Sequence, residues 1–397
     1  MTELNIAGGF YGENCIWPYW SRSLGSAGRA AAALSGHLKT IKLHTYVSKG
    51  ESEAARQLAE NYSLELISHL RSQAIRFDYV HSMSIPQISP ELALIEGAPP
   101  FVVDGDVVVR FGMLEGSAKV SAQKCIYDPQ SAFSPASFGE NGSEAKQLAI
   151  IANRGEITKL GRSQEIQEAV IRVMHESGAQ VVVVKSGSAG AHVYSGGNVT
   201  RVAPYQTRNV WTLGTGDVFV AAFAWKWGIE NSEPIGAARF ASKAVATHVD
   251  SMSLPIPSTE EIQSIDFPEA TFRGGKVYLA APFFTLGQRW LVDDARRCLR
   301  EMGFEVFSPV HDVGRGPGVV VAPQDIEALK QCDVVFALLD GIDCGTIFET
   351  GFATAAGKPV FAVAQSEPDD TLKMLTGTGS IVRDDLVTAL HLMAWRA

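Results

Sequence analysis

The chain reads as an α/β protein, a larger first unit followed by a smaller doubly wound one, and three observations predict this. Short apolar runs alternate with amphipathic stretches almost throughout, the pattern of buried parallel strands and their crossover helices. A length of 397 residues calls for two domains or three lobes at ~150 residues each. The periodicity breaks at Ser253-Leu254-Pro255-Ile256-Pro257-Ser258-Thr259 and again from Asp266 to Gly275, where Pro, Gly and charge accumulate. A first unit over 1–265, a linker over 266–275 and a second unit over 276–397 follow.

The apolar runs Val107–Phe111, Cys125–Tyr127, Gln180–Lys185, Lys276–Leu279, Val334–Leu338 and Val360–Ala364 are the buried strand candidates. In the second unit they form a complete series: strand 276–279, helix about 288–302, strand 305–307, helix about 322–331, strand 334–338, helix 347–356, strand 360–364. Sites in such sheets form beyond the carboxyl ends of the strands. Tyr278, Asp340, Asp343 and Glu349 fall at or just after such ends.

Composition narrows the partners. A net charge of −9 gives no basic field, which argues against a nucleic-acid polymer or an anionic membrane and for small polar substrates. No stretch supplies the ~20 apolar residues of a membrane span, and no signal peptide is expected at the amino end. The five cysteines are scattered without a Cys-x-x-Cys pair, so a reducing, cytoplasmic setting is expected rather than a disulfide framework or zinc site.

Gly214-Thr215-Gly216-Asp217 precedes the apolar run Val218-Phe219-Val220-Ala221-Ala222-Phe223. Free amides in the first turn of such a helix face an anion, and an aspartate there can take a proton from a substrate hydroxyl while the amides steady a transferring phosphoryl group. A helix acid placed for dipole reasons alone is the structural alternative.

This segment resembles the signature of the PfkB, or ribokinase-like, carbohydrate and nucleoside kinases, and the likeness covers roughly residues 3–265. Gly25-Ser26-Ala27-Gly28-Arg29 is similar to that family's early glycine-rich substrate motif, and Asn153-Arg154-Gly155-Glu156 to its magnesium-associated Asn-x-x-Glu. Val183-Val184-Lys185-Ser186-Gly187-Ser188-Ala189-Gly190 is similar to its nucleotide-side strand and loop, and Ala241-Ser242-Lys243-Ala244 to its adenine-side helix. The resemblance implies ATP and Mg2+ as cofactors and Asp217 as catalytic base. It makes Gly214, Thr215 and Gly216 the anion cradle, Asn153 and Glu156 the organisers of magnesium, and Gly25, Gly28, Lys185, Gly187 and Gly190 substrate or nucleotide contacts. The chain departs from the pattern at Arg29, where the family has Asn, at Asn209-Val210-Trp211, where it has Asp, and at Gly12-Glu13-Asn14, which lacks the usual sugar-binding aspartate.

Downstream, Asp343 and Glu349 stand six positions apart across a glycine-rich strand-to-helix turn, Asp340-Gly341-Ile342-Asp343-Cys344-Gly345-Thr346-Ile347-Phe348-Glu349. Breaking an N-glycosidic bond builds positive charge on the sugar, which a carboxylate at the anomeric carbon stabilises or traps as an ester; a second carboxylate orients a sugar hydroxyl. Taken singly, these residues also read as helix-end acids and an exposed helix glutamate.

Together, Lys276-Val277-Tyr278-Leu279-Ala280-Ala281-Pro282-Phe283-Phe284, Phe307-Ser308-Pro309, Asp325, and Asp340 through Gly351 resemble the nucleoside 2-deoxyribosyltransferase family over about residues 275–397. By that resemblance Glu349 is the nucleophile, Asp343 the sugar-hydroxyl partner, Asp325 the nucleobase contact and proton manager, and Tyr278 the residue that positions Glu349; Asp340 is a further binding candidate. No cofactor is implied for this unit. The family holds both base-exchanging transferases and hydrolases, and a neighbouring subunit often closes its pocket, so a homo-oligomer is implied. The expected protein is a bifunctional enzyme of nucleoside or nucleotide metabolism. Its alternative is a glycosidase regulated by a non-catalytic, ligand-sensing first unit. His311 reads as a loop residue, and the tail 384–395 as an amphipathic helix, at an interface or packed on its own unit.

Overall fold

The computed structural model describes residues 3–131 and 134–396. It divides into two compact units, Met1–Glu269 and Ala270–Ala397. The class is the expected one: a large mixed sheet with crossover helices in unit 1, and a separate all-parallel sheet in unit 2.

Unit 1 contains β1 (Glu3–Ala7), β2 (Gly12–Cys15), β3 (Trp20–Ser23), α1 (Gly25–Ala33), β4 (Thr40–Val47), α2 (Ser52–Asn61), β5 (Glu65–Leu70), β6 (Arg76–Tyr79), β7 (Gln87–Ser89), β8 (Phe101–Phe111), β9 (Ala118–Asp128) and β10 (Glu144–Asn153). It continues with α3 (Arg154–Leu160), α4 (Ile166–Ser177), β11 (Val181–Lys185), β12 (Ala191–Ser195), β13 (Asn198–Val202), α5 (Thr215–Phe223), α6 (Pro234–Ser251) and α7 (Thr259–Ser264). Nine strands form the main sheet in the order β13-β12-β11-β10-β9-β8-β1-β4-β5. It is parallel from β5 to β11 and closes with two antiparallel edge strands. A second, four-stranded sheet, β3-β2-β6-β7, stands apart.

Strands β8 and β9 run eleven residues each, far beyond the apolar cores read from the sequence. Their first halves alternate buried and exposed residues, and only their second halves are buried on both faces, so only the latter form a continuous apolar run. Helix α5 is apolar all round and buried from Asp217 to Phe223, because it packs against both α1 and α6.

Unit 2 contains β14 (Lys276–Ala280), α8 (Leu286–Glu301), β15 (Glu305–Phe307), α9 (Pro309–Asp312), α10 (Gly318–Gln331), β16 (Val334–Leu338), α11 (Cys344–Ala355), β17 (Val360–Val363), α12 (Asp369–Gly377), β18 (Ile381–Arg383) and α13 (Leu386–Arg396). The strand order is β15-β14-β16-β17-β18, so the direction of winding reverses between β14 and β16. That switch point opens a crevice at the carboxyl edge of the sheet. One expectation needs correcting: the helix read from about 322 begins at Gly318 and carries Pro323 inside it. Pro323 is the sixth helical residue, so only the one bond its missing N–H would make to Val319 is lost, near the start of the helix. Asp325 therefore lies in the second turn rather than opening the helix.

The carboxyl-terminal helix α13 is buried from Leu386 to Trp395 and packs on β17 and β18, which is the intramolecular packing alternative. Among the described residues, no helix is long and apolar enough to cross a membrane.

Candidate active sites

In unit 1 the sequence places Asp217 in the first turn of α5, behind Gly214 at φ +76°. A side chain at Gly214 would be strained by that φ, and its Cβ would fall 2.1 Å from Arg29 Nε. Gly214→Ala is therefore expected to lower unfolding stability by about 1–3 kcal/mol, read from the denaturant midpoint of the full chain. Gly25, at φ +62°, lets the backbone of α1 meet that of Gly9; a Cβ there would sit 2.3 Å from the Gly9 carbonyl oxygen.

This close packing brings Arg29 onto Asp217. Arg29, 2% exposed, donates from Nη1 to Asp217 Oδ2 at 2.7 Å and from Nη2 to the Glu13 carboxylate. Gln130 Nε2 donates to the other Asp217 oxygen at 2.6 Å, from a backbone held at φ +44°, a strained conformation of the kind that gathers at functional sites. Burial pushes the Glu13 carboxyl up, while Arg29 opposes the rise.

Lys185, at the carboxyl end of β11, ion-pairs with Asp128, at the carboxyl end of β9, at 2.5 Å. Its Nζ lies 3.2 Å from where a Gly216 Cβ would stand, next to the α5 amides. Asp128 is fully buried, and burial raises its carboxyl pKa against the pull of Lys185, with Glu156 and Asp217 close enough to add to the rise. Asn153 and Glu156 form the capping box of α3: Glu156 N–H donates to Asn153 Oδ1 at 2.9 Å and Asn153 N–H to Glu156 Oε2 at 2.8 Å. Glu156 Oε1 also accepts from Ser131 N–H. Glu156 and Asp217 thus lie close enough to Asp128 to raise its pKa, and the magnesium candidates Asn153 and Glu156 stand together at the amino end of α3. Gly187 opens a 3-10 turn after β11, Gly190 precedes β12, and Gly28 lies in α1 against Leu58. Thr215 donates its hydroxyl to the Thr212 carbonyl.

Asp128 and Gln130 escaped the sequence reading. Asp128 was reachable, since an aspartate at the end of an apolar strand, Cys125-Ile126-Tyr127-Asp128, is the kind of signal that singled out Asp340; Tyr278, read as standing at a strand end, lies in the middle of β14. Gln130 carries no such signal.

In unit 2, Tyr278 on β14 is fully buried and donates to Glu349 Oε1 at 2.6 Å. The two meet because α11 packs against β14, on the face where Tyr278 joins Leu329 of α10 and Ala353 of α11 in one core cluster. Phe307 stacks on the Tyr278 ring at 5.5 Å. Burial pushes the Glu349 carboxyl up to about 7; the Tyr278 hydrogen bond opposes this, and Asp325 and Asp343 add to it. Asp343 is the N-cap of α11, accepting from Thr346 N–H at 2.9 Å and Thr346 Oγ1 at 3.1 Å through Oδ2. Asp325 has a buried Oδ1 without a hydrogen-bond partner among the described residues, and burial raises its pKa.

Asp340 lies apart in role. Its carboxylate accepts from the Gln365 and Ser366 amides and the Ser366 hydroxyl, which ties the loop after β16 to the loop after β17. His311, read as a loop residue, is in α9 and joins Ser308 Oγ at 3.0 Å to Asp293 at 2.7 Å.

Each of the two α/β units thus gathers buried acids at its strand or helix ends, one candidate site in each. Residues 124–260 match the family profile described as pfkB family carbohydrate kinase, and residues 277–380 match that of nucleoside 2-deoxyribosyltransferase; the chain carries a domain of each kind. It also resembles solved structures of low identity. These include ribokinase from Thermotoga maritima (17% identical, 66% of this chain and 98% of that one, TM-score 0.47) and Arabidopsis thaliana ribokinase complexed with ribose and ATP (16%, 66% and 99%, 0.49). Phosphofructokinase-2 from Escherichia coli in complex with substrates and products is another (16%, 66% and 98%, 0.47). A search of curated proteins finds no match.

Proposed function

We propose that unit 2 cleaves or transfers the N-glycosidic bond of nucleosides or their monophosphates. A Glu349 oxygen attacks C1′, the bond to the base breaks, and the base departs with a proton supplied by Asp325. Asp343 orients a sugar hydroxyl, and Tyr278 fixes the attacking carboxylate. Water or a second base then takes the sugar from the ester. The observation that carries this reading is the Glu349 carboxyl held 2.6 Å from Tyr278 Oη with two further acids around it. Chromatography of nucleosides and monophosphates, with and without an acceptor base, tests it: free base without acceptor means hydrolysis, and base exchange only with acceptor means transfer.

The titration of Glu349 sets a pH dependence. The nucleophile must be ionised, and its pKa lies at about 7, so the rate is expected to fall tenfold per unit as pH drops below that value. Tyr278→Phe removes the hydrogen bond that favours the anion, so the acidic limb of the profile is expected to move to higher pH. A limb that stays in place, measured on the folded variant, refutes the positioning role of Tyr278.

For unit 1, we infer ATP-dependent phosphorylation of a sugar or nucleoside, with Asp217 as base. Magnesium, organised by Asn153 and Glu156, would neutralise charge on the transferring phosphoryl group. The α5 amides and Lys185 receive phosphate oxygens. A second reading, a non-catalytic ligand sensor governing unit 2, is favoured by the Arg29–Asp217 ion pair, which occupies the base. ADP release with a panel of pentoses and nucleosides separates the two. A homo-oligomer in a reducing cytoplasm completes the proposal, and all five cysteines are free.

A further inference from the structure

Arg29 blocks the acceptor side of unit 1 in a way that selects its own release. The guanidinium is 2% exposed, spans Asp217 and Glu13, and fills the space above Gly214, where its Nε would touch any Cβ at 2.1 Å. A substrate hydroxyl reaching for Asp217 must therefore move Arg29 aside. A neutral sugar offers only hydroxyls to the withdrawn guanidinium, which leaves a buried cation with poorer partners than it had. A carboxylate or phosphate matches the planar fork in two parallel hydrogen bonds and restores the charge balance.

We infer that the phosphoryl acceptor of unit 1 is an anionic polyol, a sugar acid or a sugar phosphate, whose own anionic group draws Arg29 off Asp217. This rests on the kinase reading above and narrows its substrate class. The acceptor hydroxyl then loses its proton to the freed Asp217, its oxygen bonds to the γ-phosphorus of ATP, and the bond from that phosphorus to ADP breaks. Glu13, whose carboxyl burial already pushes up, can remain on Arg29 or take a proton when Arg29 turns to the ligand. Cleavage of a nucleoside monophosphate at C1′ leaves a pentose 5-phosphate, which has the required chemistry; a nucleoside leaves a neutral pentose, which does not.

The test uses the full chain with ATP and magnesium and three acceptor arms: neutral pentoses and nucleosides, sugar acids, and pentose 5-phosphates. ADP release is expected with one of the anionic arms at about 100-fold or more above the neutral arm, and whichever anionic arm responds identifies the source. Calorimetric titration of the same acceptors without ATP is expected to follow the same order. Arg29→Asn is expected to lose the anionic preference in both measurements, and Arg29→Lys, which keeps the charge without the fork, to retain it only partly. Neutral pentoses turned over by the parent as fast as the anionic acceptors overturn the inference and leave the kinase reading standing. No ADP release from any arm, by the parent or by Arg29→Asn, overturns both.

Discussion

Replacing Glu349 by Gln is expected to slow base release from a nucleoside by about 10⁴-fold or more, the scale on which loss of a covalent nucleophile is felt. The neutral amide cannot attack C1′ or form the glycosyl ester, yet its carbonyl oxygen still accepts the Tyr278 hydroxyl, so the local packing is kept. Stability supplies an independent check on folding. Burial raises the Glu349 carboxyl from its ordinary 4.5 to about 7, which means that the folded state holds a proton between these values while the unfolded chain does not. The contribution of this group is fully present below pH 4.5 and is lost as pH rises through 7. At pH 8 the parent must bury a charge that the variant lacks, so the variant is expected to be more stable by roughly 1–3 kcal/mol at pH 8 and little changed at pH 4.5. Such a trade of stability for activity is the mark of a functional carboxylate. A variant that melts normally and keeps more than about a tenth of the parental rate removes Glu349 from the chemistry.

How far such a site is legible beforehand depends on which physical signal carries each part. Strand β16, Val334–Leu338, stands where the sequence puts it because both of its faces are buried and every residue is apolar. Alternating exposure conceals the first halves of β8 and β9. The separate sheet β3-β2-β6-β7 is short and half exposed, and gives the sequence no apolar run to read. Local chemistry made Asp343 and Asp217 visible, as acids beside glycine at helix starts. The approach of Tyr278 to Glu349, 71 residues apart, has no local signature and became an expectation only through a family resemblance. Arg29 shows the reverse case. It was visible as a departure from a motif, but its two ion-pair partners lie 16 and 188 residues away, and only folding brings them together. The start of α10 was hidden for a third reason: Gly318-Val319-Val320-Val321 joins glycine to β-branched residues of low helix propensity, and Pro323 is tolerated after them because it stands near the start of the helix.

The Arg29–Asp217 pair makes the second large expectation. With an acceptor that unit 1 accepts, Asp217→Asn is expected to lower ADP release by about 10²–10⁴-fold, because an amide cannot take the hydroxyl proton. The same change leaves the guanidinium of Arg29, 2% exposed, with one carboxylate in place of two, and breaking a buried ion pair from one side costs about 3–5 kcal/mol. Loss of activity alone therefore does not separate a missing base from a loosened fold. A double-mutant cycle does. Arg29→Asn removes the stranded cation, so Arg29→Asn with Asp217→Asn is expected to recover much of the stability lost in Asp217→Asn, measured by denaturant unfolding, without recovering ADP release. If activity returns together with stability, Asp217 is a structural partner of Arg29 and some other group accepts the proton. If Arg29→Asn alone raises ADP release with neutral sugars, then the guanidinium acts on the parent site as a gate, and Asp217 behind it retains the geometry of a base: one oxygen held by Gln130 at 2.6 Å, the other released toward the acceptor.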